Sequence, residues 1–459
     1  MLVLAVGPAI VWCAEYIGSG EVVLATRTGA VLGTGVIWAV VIGVFLKYLI
    51  GMAGGWYAVA TGESMIDLFA RLPGPRNAFV WVVLVGQFVA SIFAIGSIAA
   101  TAGIFASEFL SSVGLPGLPP SYAGWAVTLF AVAVAWVGEF KPLKIIMSLL
   151  VTTTLVGVLV VTARVMPSIG ELLAGLSFQL PEVPEWAIEQ GVPENSWEEI
   201  LPLLGWGAGG FASQVWYTYW VLGAGYGAAS KDSIGRPADE AMLGQITEDQ
   251  AERLVGWRRV ITFDATTAML IGTGVTIGFL IAGAGVLRAN ELAPAGPSVA
   301  LTVASLFAEE WGKIGTILFL AGGAAALVST QLAQVAGWSC LLDDAVRVCL
   351  PGALSGFSPI VRRRAWLVFF LIASMTIVYS LGFRPVELVK FAAVVDGLLL
   401  TPLQALAVLV GLYWVMPRLL SPIAAERLRP SPWIGVGLVI SCLVFSYFCV
   451  VKLPSVLFG

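Results

Sequence analysis

The sequence predicts an all-α polytopic membrane protein: eleven transmembrane helices in a 5+5 inverted repeat, with helices 1 and 6 broken. Three observations carry that class. Of 459 residues, 59% are hydrophobic and 11% charged, and the mean hydropathy is +0.93, a balance that soluble domains do not show. Eleven apolar runs are long enough to cross a bilayer. The first and sixth of these runs are interrupted by glycines and polar residues at corresponding places, the pattern of paired discontinuous helices.

The runs lie near 4–29, 33–58, 77–109, 122–138, 142–165, 200–226, 259–286, 299–343, 365–382, 386–415 and 432–451. The eighth is too long for one crossing and is expected to include a helix outside the membrane. With the N-terminus inside, the inner loops carry sixteen lysines and arginines, Lys231 among them, against five outside, Arg384 among them. That bias orients the chain with a cytoplasmic N-terminus, as a multi-pass protein of a bacterial-type inner (plasma) membrane. The expected units are residues 1–166 (spans 1–5), an extracytoplasmic loop 167–199, residues 200–416 (spans 6–10), and 417–459 (span 11 and the C-terminus).

Span 1 contains Tyr16-Ile17-Gly18-Ser19-Gly20-Glu21. Glycine costs a helix ~1 kcal/mol, and a charge at bilayer depth costs ~2.5–3.5 kcal/mol. Irregular backbone survives there only when buried in protein or lining a cavity, so the stretch reads as a break that holds substrate. The plainer alternative is a glycine-lined helix contact with a glutamate that snorkels. Span 6 carries Gly205-Trp206-Gly207-Ala208-Gly209-Gly210 followed by Ala212-Ser213-Gln214. A small-residue packing face would explain its glycines, but not Ser213 and Gln214.

The candidate site is therefore Gly18, Ser19, Gly20 and Glu21 of span 1, Ala212, Ser213 and Gln214 of span 6, and Lys390 and Asp396 of span 10. Glu15, Lys47, Lys390 and Asp264 are intramembrane ionisable groups and candidates for coupling. Each needs a partner, since an unpaired buried charge is too costly. Lys390 is expected to meet Glu21 or Asp396 in one conformation and release it in another; a static ion pair is the alternative. Several classes drop out. The chain has no histidine, no Cys-x-x-Cys pair among its five cysteines, no nucleophile with a neighbouring base and no Walker-type phosphate loop. No enzyme, resident cofactor, nucleic-acid partner or ATP drive is expected, and no cleavable signal is visible.

The chain resembles the Nramp family of divalent metal transporters. The resemblance rests on Gly7-Pro8-Ala9, Tyr16, Gly20 and Gly29-Ala30 in span 1, Ala60-Thr61-Gly62-Glu63-Ser64-Met65 after span 2, Glu171 to Leu176 after span 5, Asp264 in span 7 and Ser329-Thr330 in span 8. It implies a leucine-transporter type of fold. The family's functional residues are replaced: its Asp-Pro-Gly-Asn motif falls on Gly18, Ser19, Gly20 and Glu21, and its Met-Pro-His motif on Ser213, Gln214 and Val215. Its second span 6 histidine falls near Trp220, and its span 3 acids on Gln87, Ala94 and Ser97.

What remains is one hard carboxylate, Glu21, with the neutral oxygens of Ser19, Ser213 and Gln214; Glu21, Ser213 and Gln214 are the candidate metal ligands. Such donors suit magnesium, manganese or calcium rather than soft metals. The expected function is alternating-access transport of a small cation, a hard divalent metal foremost. A small organic solute such as an amino acid or amine is the alternative cargo, and a non-transporting receptor with a degenerate site is the alternative class.

Overall fold

The computed structural model describes residues 7–138, 140–207, 209–229, 233–293, 298–353, 356–376 and 385–457; Lys231 and Arg384 lie outside them. Span 1 consists of half-helix 1a, Pro8–Tyr16, and half-helix 1b, which begins as a π-turn at Gly20–Ala25 and continues as Thr26–Leu32. A 3-10 turn, Gly33–Val36, leads into span 2, Ile37–Thr61. Spans 3, 4 and 5 are Ala78–Ser112, Pro120–Val137 and Phe140–Arg164. Span 6 is again two pieces, 6a at Trp197–Trp206 and 6b at Phe211–Gly223. Span 7 is Glu248–Ala282, and span 11 begins at Pro432.

Both expected breaks are present, and each sits on its glycines. Span 8 also divides as its length required. The helix Ser298–Cys349 turns at Gly312, whose φ of 64° is left-handed, leaving Gly312–Cys349 as the crossing piece. Among the described residues, eight helices are long and apolar enough to cross a membrane. These take 1b and span 2 as one continuous helix and leave out 1a and both halves of span 6, which are short pieces beside a break, and span 9, whose described part carries Arg362, Arg363 and Arg364. Span 9 is described over Pro359–Phe369 and Phe370–Ser374. Span 10 is Pro385–Ala392 running into a π-helical stretch, Ala393–Leu399, and then Thr401–Val410.

Burial separates a core from a rim. Some 72% of the apolar window across 1b and span 2 is buried, and 67% in span 8, against 28% in span 4 and 22% in span 11. The rim shows large apolar side chains outward: Leu149 and Leu159 of span 5 are 69% and 65% exposed, and Val450 of span 11 is 73% exposed. Surfaces of that kind are stable only against lipid. Spans 1, 6, 8 and 10 thus meet away from lipid. Half-helix 6a and span 10 touch backbone to backbone: a Cβ on Gly397 would lie 2.0 Å from the carbonyl oxygen of Gly205.

Candidate functional site

At the break of span 1, Ser19 is the N-cap of half-helix 1b, and the Gly18 backbone closes its first turn. The Val22 amide donates to the Gly18 carbonyl at 2.7 Å. Glu21 stands in the first turn and reaches back, accepting from the Gly18 amide at 2.9 Å. The contact places negative charge at a helix N-terminus. Thr276 of span 7 donates to the other Glu21 oxygen at 3.2 Å. The loose carbonyls at the end of 1a are met by Thr330 of span 8, whose hydroxyl donates to Glu15 O at 2.5 Å.

The break of span 6 is met from other helices. Four carbonyls at the end of 6a and in the break, those of Leu204, Gly205, Gly207 and Gly209, accept from the Lys47 ammonium of span 2. At the start of 6b, Asp396 accepts from the Ala212 amide at 3.0 Å, from Gln87 Nε2 at 2.9 Å and from the Trp206 indole at 3.0 Å. The π-helical stretch of span 10 aims this carboxylate inward. Two glycines make the approach possible. Gly209 has φ 77°, and a Cβ on Gly210 would lie 1.8 Å from Asp396 Oδ2. Each half of a broken helix leaves orphan groups at the break; here an ammonium meets the carbonyls and a carboxylate meets the amides.

Between the breaks lies a small cleft of about 10 Å³, room for about one water or one bare ion. Its walls carry two carboxylates, Glu15 and Asp396, with Ser19, Ser213, Thr330 and Gln334 as neutral oxygens and Tyr16, Trp206 and Trp216 as aromatic surface. Glu15 is 2% exposed and receives the Ser213 hydroxyl, which in turn accepts from the Trp12 indole at 3.0 Å. The Gln334 Oε1 and the Trp216 indole nitrogen are buried without a partner among the described residues.

Both ends of this core are closed by ion clusters. On the side of loop 167–199, Glu199 at the start of 6a pairs with Arg27 of 1b at 3.1 Å and with Lys390 of span 10 at 2.8 Å. At the other, basic end, the helix Met65–Ala70 opens on a Ser64/Asp67 capping box. Arg347 joins Asp67 to Asp344 there, and Tyr219 of 6b donates to Asp344 at 2.9 Å. Arg71 holds Glu63 at 2.6 Å. Burial, then the charge of Asp344, pushes the Asp67 carboxyl up to about 7, with Arg347 opposing.

The expected site residues fall into three groups. Ser19, Gly20, Ser213 and Asp396 line the cavity; Ala212 holds Asp396, and Gly18 packs on Thr330. Glu21, expected as the single central acid, is fully buried beside the cavity and reaches back to the Gly18 amide. Gln214 is turned away from the cavity, packed where a Cβ on Gly51 would meet it, with both amide atoms unpartnered among the described residues. Lys390, expected to meet Glu21 or Asp396, pairs with Glu199 instead. Asp264 accepts from the Gly7 and Ala9 amides and caps the start of 1a. Glu199, Trp206, Trp216 and Gln334 were not anticipated. Gln334 lies one turn from Thr330 on the same face of span 8, and two intramembrane cations, Arg27 and Lys390, were the only pointer to an acid such as Glu199.

No protein-family model matches the chain. A manganese transporter of Eremococcus coleocola, in a single-substitution mutant form, superposes with a TM-score of 0.70 at 15% identity, covering 100% of this chain and 88% of that one. Mhp1, a nucleobase-cation-symport-1 family transporter with bromovinylhydantoin bound, gives 0.59 at 13% identity over 96% of this chain and 91% of its own. MhsT in complex with L-phenylalanine gives 0.53 at 15% identity over 95% and 98%. This is the leucine-transporter type of fold. In sequence, an uncharacterized protein of Pasteurella multocida is 23% identical over 164 residues, 35% of this chain and 36% of that protein, so the match spans about a third of its length.

Proposed function

We propose that the chain is an Nramp-related secondary transporter with an altered site, carrying a small cation by alternating access. The observation behind this reading is the cavity between two helix breaks, walled by the carboxylates of Glu15 and Asp396 and by neutral oxygens. No thioether, thiol or imidazole stands among its described walls. Two carboxylates and uncharged oxygens suit a hard divalent ion, which retains some of its waters and needs only one or two anionic ligands. Glu15 and Asp396 are the residues proposed to hold the cargo, with Ser19, Ser213, Thr330 and Gln334 supporting.

Gating follows from the same placement. The Arg27–Glu199–Lys390 cluster ties 1b, 6a and span 10 together on the side proposed to be extracytoplasmic. Opening that side separates these charges, so it needs compensation from cargo binding. At the cytoplasmic side, the cluster around Arg347 and Arg71 joins the segment after span 2 to spans 6 and 8 and to the loop after span 6.

The test is uptake of Mn²⁺ or Mg²⁺ into proteoliposomes holding a metal-sensitive dye. Saturable uptake by the wild type, reduced about tenfold or more in Glu15→Gln and in Asp396→Asn, supports the reading. Absent metal uptake together with thermal stabilisation by an amine or amino acid would replace the metal with an organic cargo. No response to either would favour a receptor.

A further inference from the structure

The ammonium of Lys47 has an arrangement that the proposed transport function does not use. Lys47 lies in the middle of span 2 and is fully buried. Its nitrogen stands 2.9 Å from Leu204 O, 3.1 Å from Gly205 O and 2.9 Å from Gly209 O, with Gly207 O closer still. An ammonium has three protons to give, and here four carbonyls surround it. Crowding of acceptors beyond the number of donors is the coordination of a cation in a carbonyl cage rather than of an ordinary hydrogen-bonded lysine. The cage is the negative end of half-helix 6a and its unwound continuation. Carbonyls at such a place are where broken-helix transporters hold an inorganic cation. Asp396 and Glu21 add negative charge within electrostatic reach.

We infer that Lys47 is a tethered cation: its ammonium occupies a monovalent-cation site at the break of span 6, in place of sodium or potassium. Three of the four carbonyls, those of Leu204, Gly205 and Gly209, stand at an ammonium's hydrogen-bonding distance, so they suit potassium, ammonium or an alkylammonium better than sodium, whose bonds to oxygen are shorter.

The experiment uses full-length protein in detergent and reads the melting midpoint against added salts, with choline chloride keeping ionic strength constant. Wild type should be indifferent to sodium, potassium and propylammonium. Lys47→Ala removes a propylammonium's worth of side chain; its midpoint should fall and then recover, saturably, with propylammonium and potassium. A Lys47→Ala protein that responds to none of these, or a Lys47→Met protein as stable as wild type, would overturn the inference. If neither variant folds, the wild type decides: a saturable rise in its midpoint with sodium or potassium would show that an inorganic ion, not Lys47, fills the site, and indifference supports the tethered cation. No arm uses the cargo, so failure of the metal-transport reading leaves this result standing, and the reverse.

Discussion

The two helix breaks are built alike and stabilised differently. Span 1 closes its break partly from its own sequence, with Glu21 reaching back three residues to the Gly18 amide, and partly with the neutral hydroxyls of Thr276 and Thr330 from spans 7 and 8. Span 6 has no such residue of its own. Its carbonyl end is met by Lys47 of span 2 and its amide end by Asp396 of span 10. The difference teaches where movement is coupled to charge. Moving the break of span 1 breaks hydrogen bonds to neutral hydroxyls, whereas moving that of span 6 pulls its ends away from an ammonium and a carboxylate on two other helices.

That contrast can be broken at several points, taken here from the largest expected effect to the smallest. Asp396→Ala leaves the Ala212 amide, the Trp206 indole and the Gln87 amide without their acceptor, and at ~1–3 kcal/mol for each bared donor it should cost about 4 kcal/mol or prevent folding. Asp396→Asn keeps the shape and one oxygen and should unfold between that variant and wild type in a denaturant titration. Next comes Glu199→Gln, which leaves Arg27 and Lys390 facing each other; breaking a buried pair costs ~3–5 kcal/mol. The double variant Glu199→Gln/Lys390→Met should recover part of that loss in the same titration, and no recovery would contradict a charge-balance role.

At span 1 the effect is smaller. Glu21→Gln should lower stability by about 1 kcal/mol, the scale of a lost helix-dipole contact, and a loss as large as that of Asp396→Ala would erase the distinction between the breaks. The smallest effect concerns the basic end. Because the folded Asp67 carboxyl titrates near 7, above its ordinary 3.8, the folded state keeps a proton that the unfolded chain gives up. Its contribution to stability should therefore be fully present below pH 3.8 and be lost as pH rises from there to about 7. Ser64, Glu63, Asp344 and Arg347 face this group. Asp67→Asn should flatten the slope of the melting midpoint over that range.

The breaks were legible because glycines and a charge interrupt apolar runs, and bilayer physics forbids such contents against lipid. Which acid faces the cavity was not. Glu15 and Glu21 lie six residues apart across an interruption that resets helical phase, so no periodicity could rank them. Glu21 follows the interruption directly, and an acid in the first turn of a new helix is favoured there by the helix dipole. The partners of Lys47 are backbone carbonyls, invisible to any residue pattern. Glu199 sits beside Glu198 at the end of an acidic loop, where a solvated charge is the ordinary reading; only the fold brings Arg27 and Lys390 to it.

The central claim is that Glu15 and Asp396, which line the cleft, and not Glu21 beside it, hold a cation. Calorimetric titration of Mn²⁺ or Mg²⁺ into purified wild type, Glu15→Gln and Glu21→Gln tests it most directly. The account predicts a saturable signal that Glu15→Gln abolishes and Glu21→Gln leaves within about threefold, since a contact outside the site carries under ~1 kcal/mol of binding. Loss of the signal in Glu21→Gln with full retention in Glu15→Gln would contradict it.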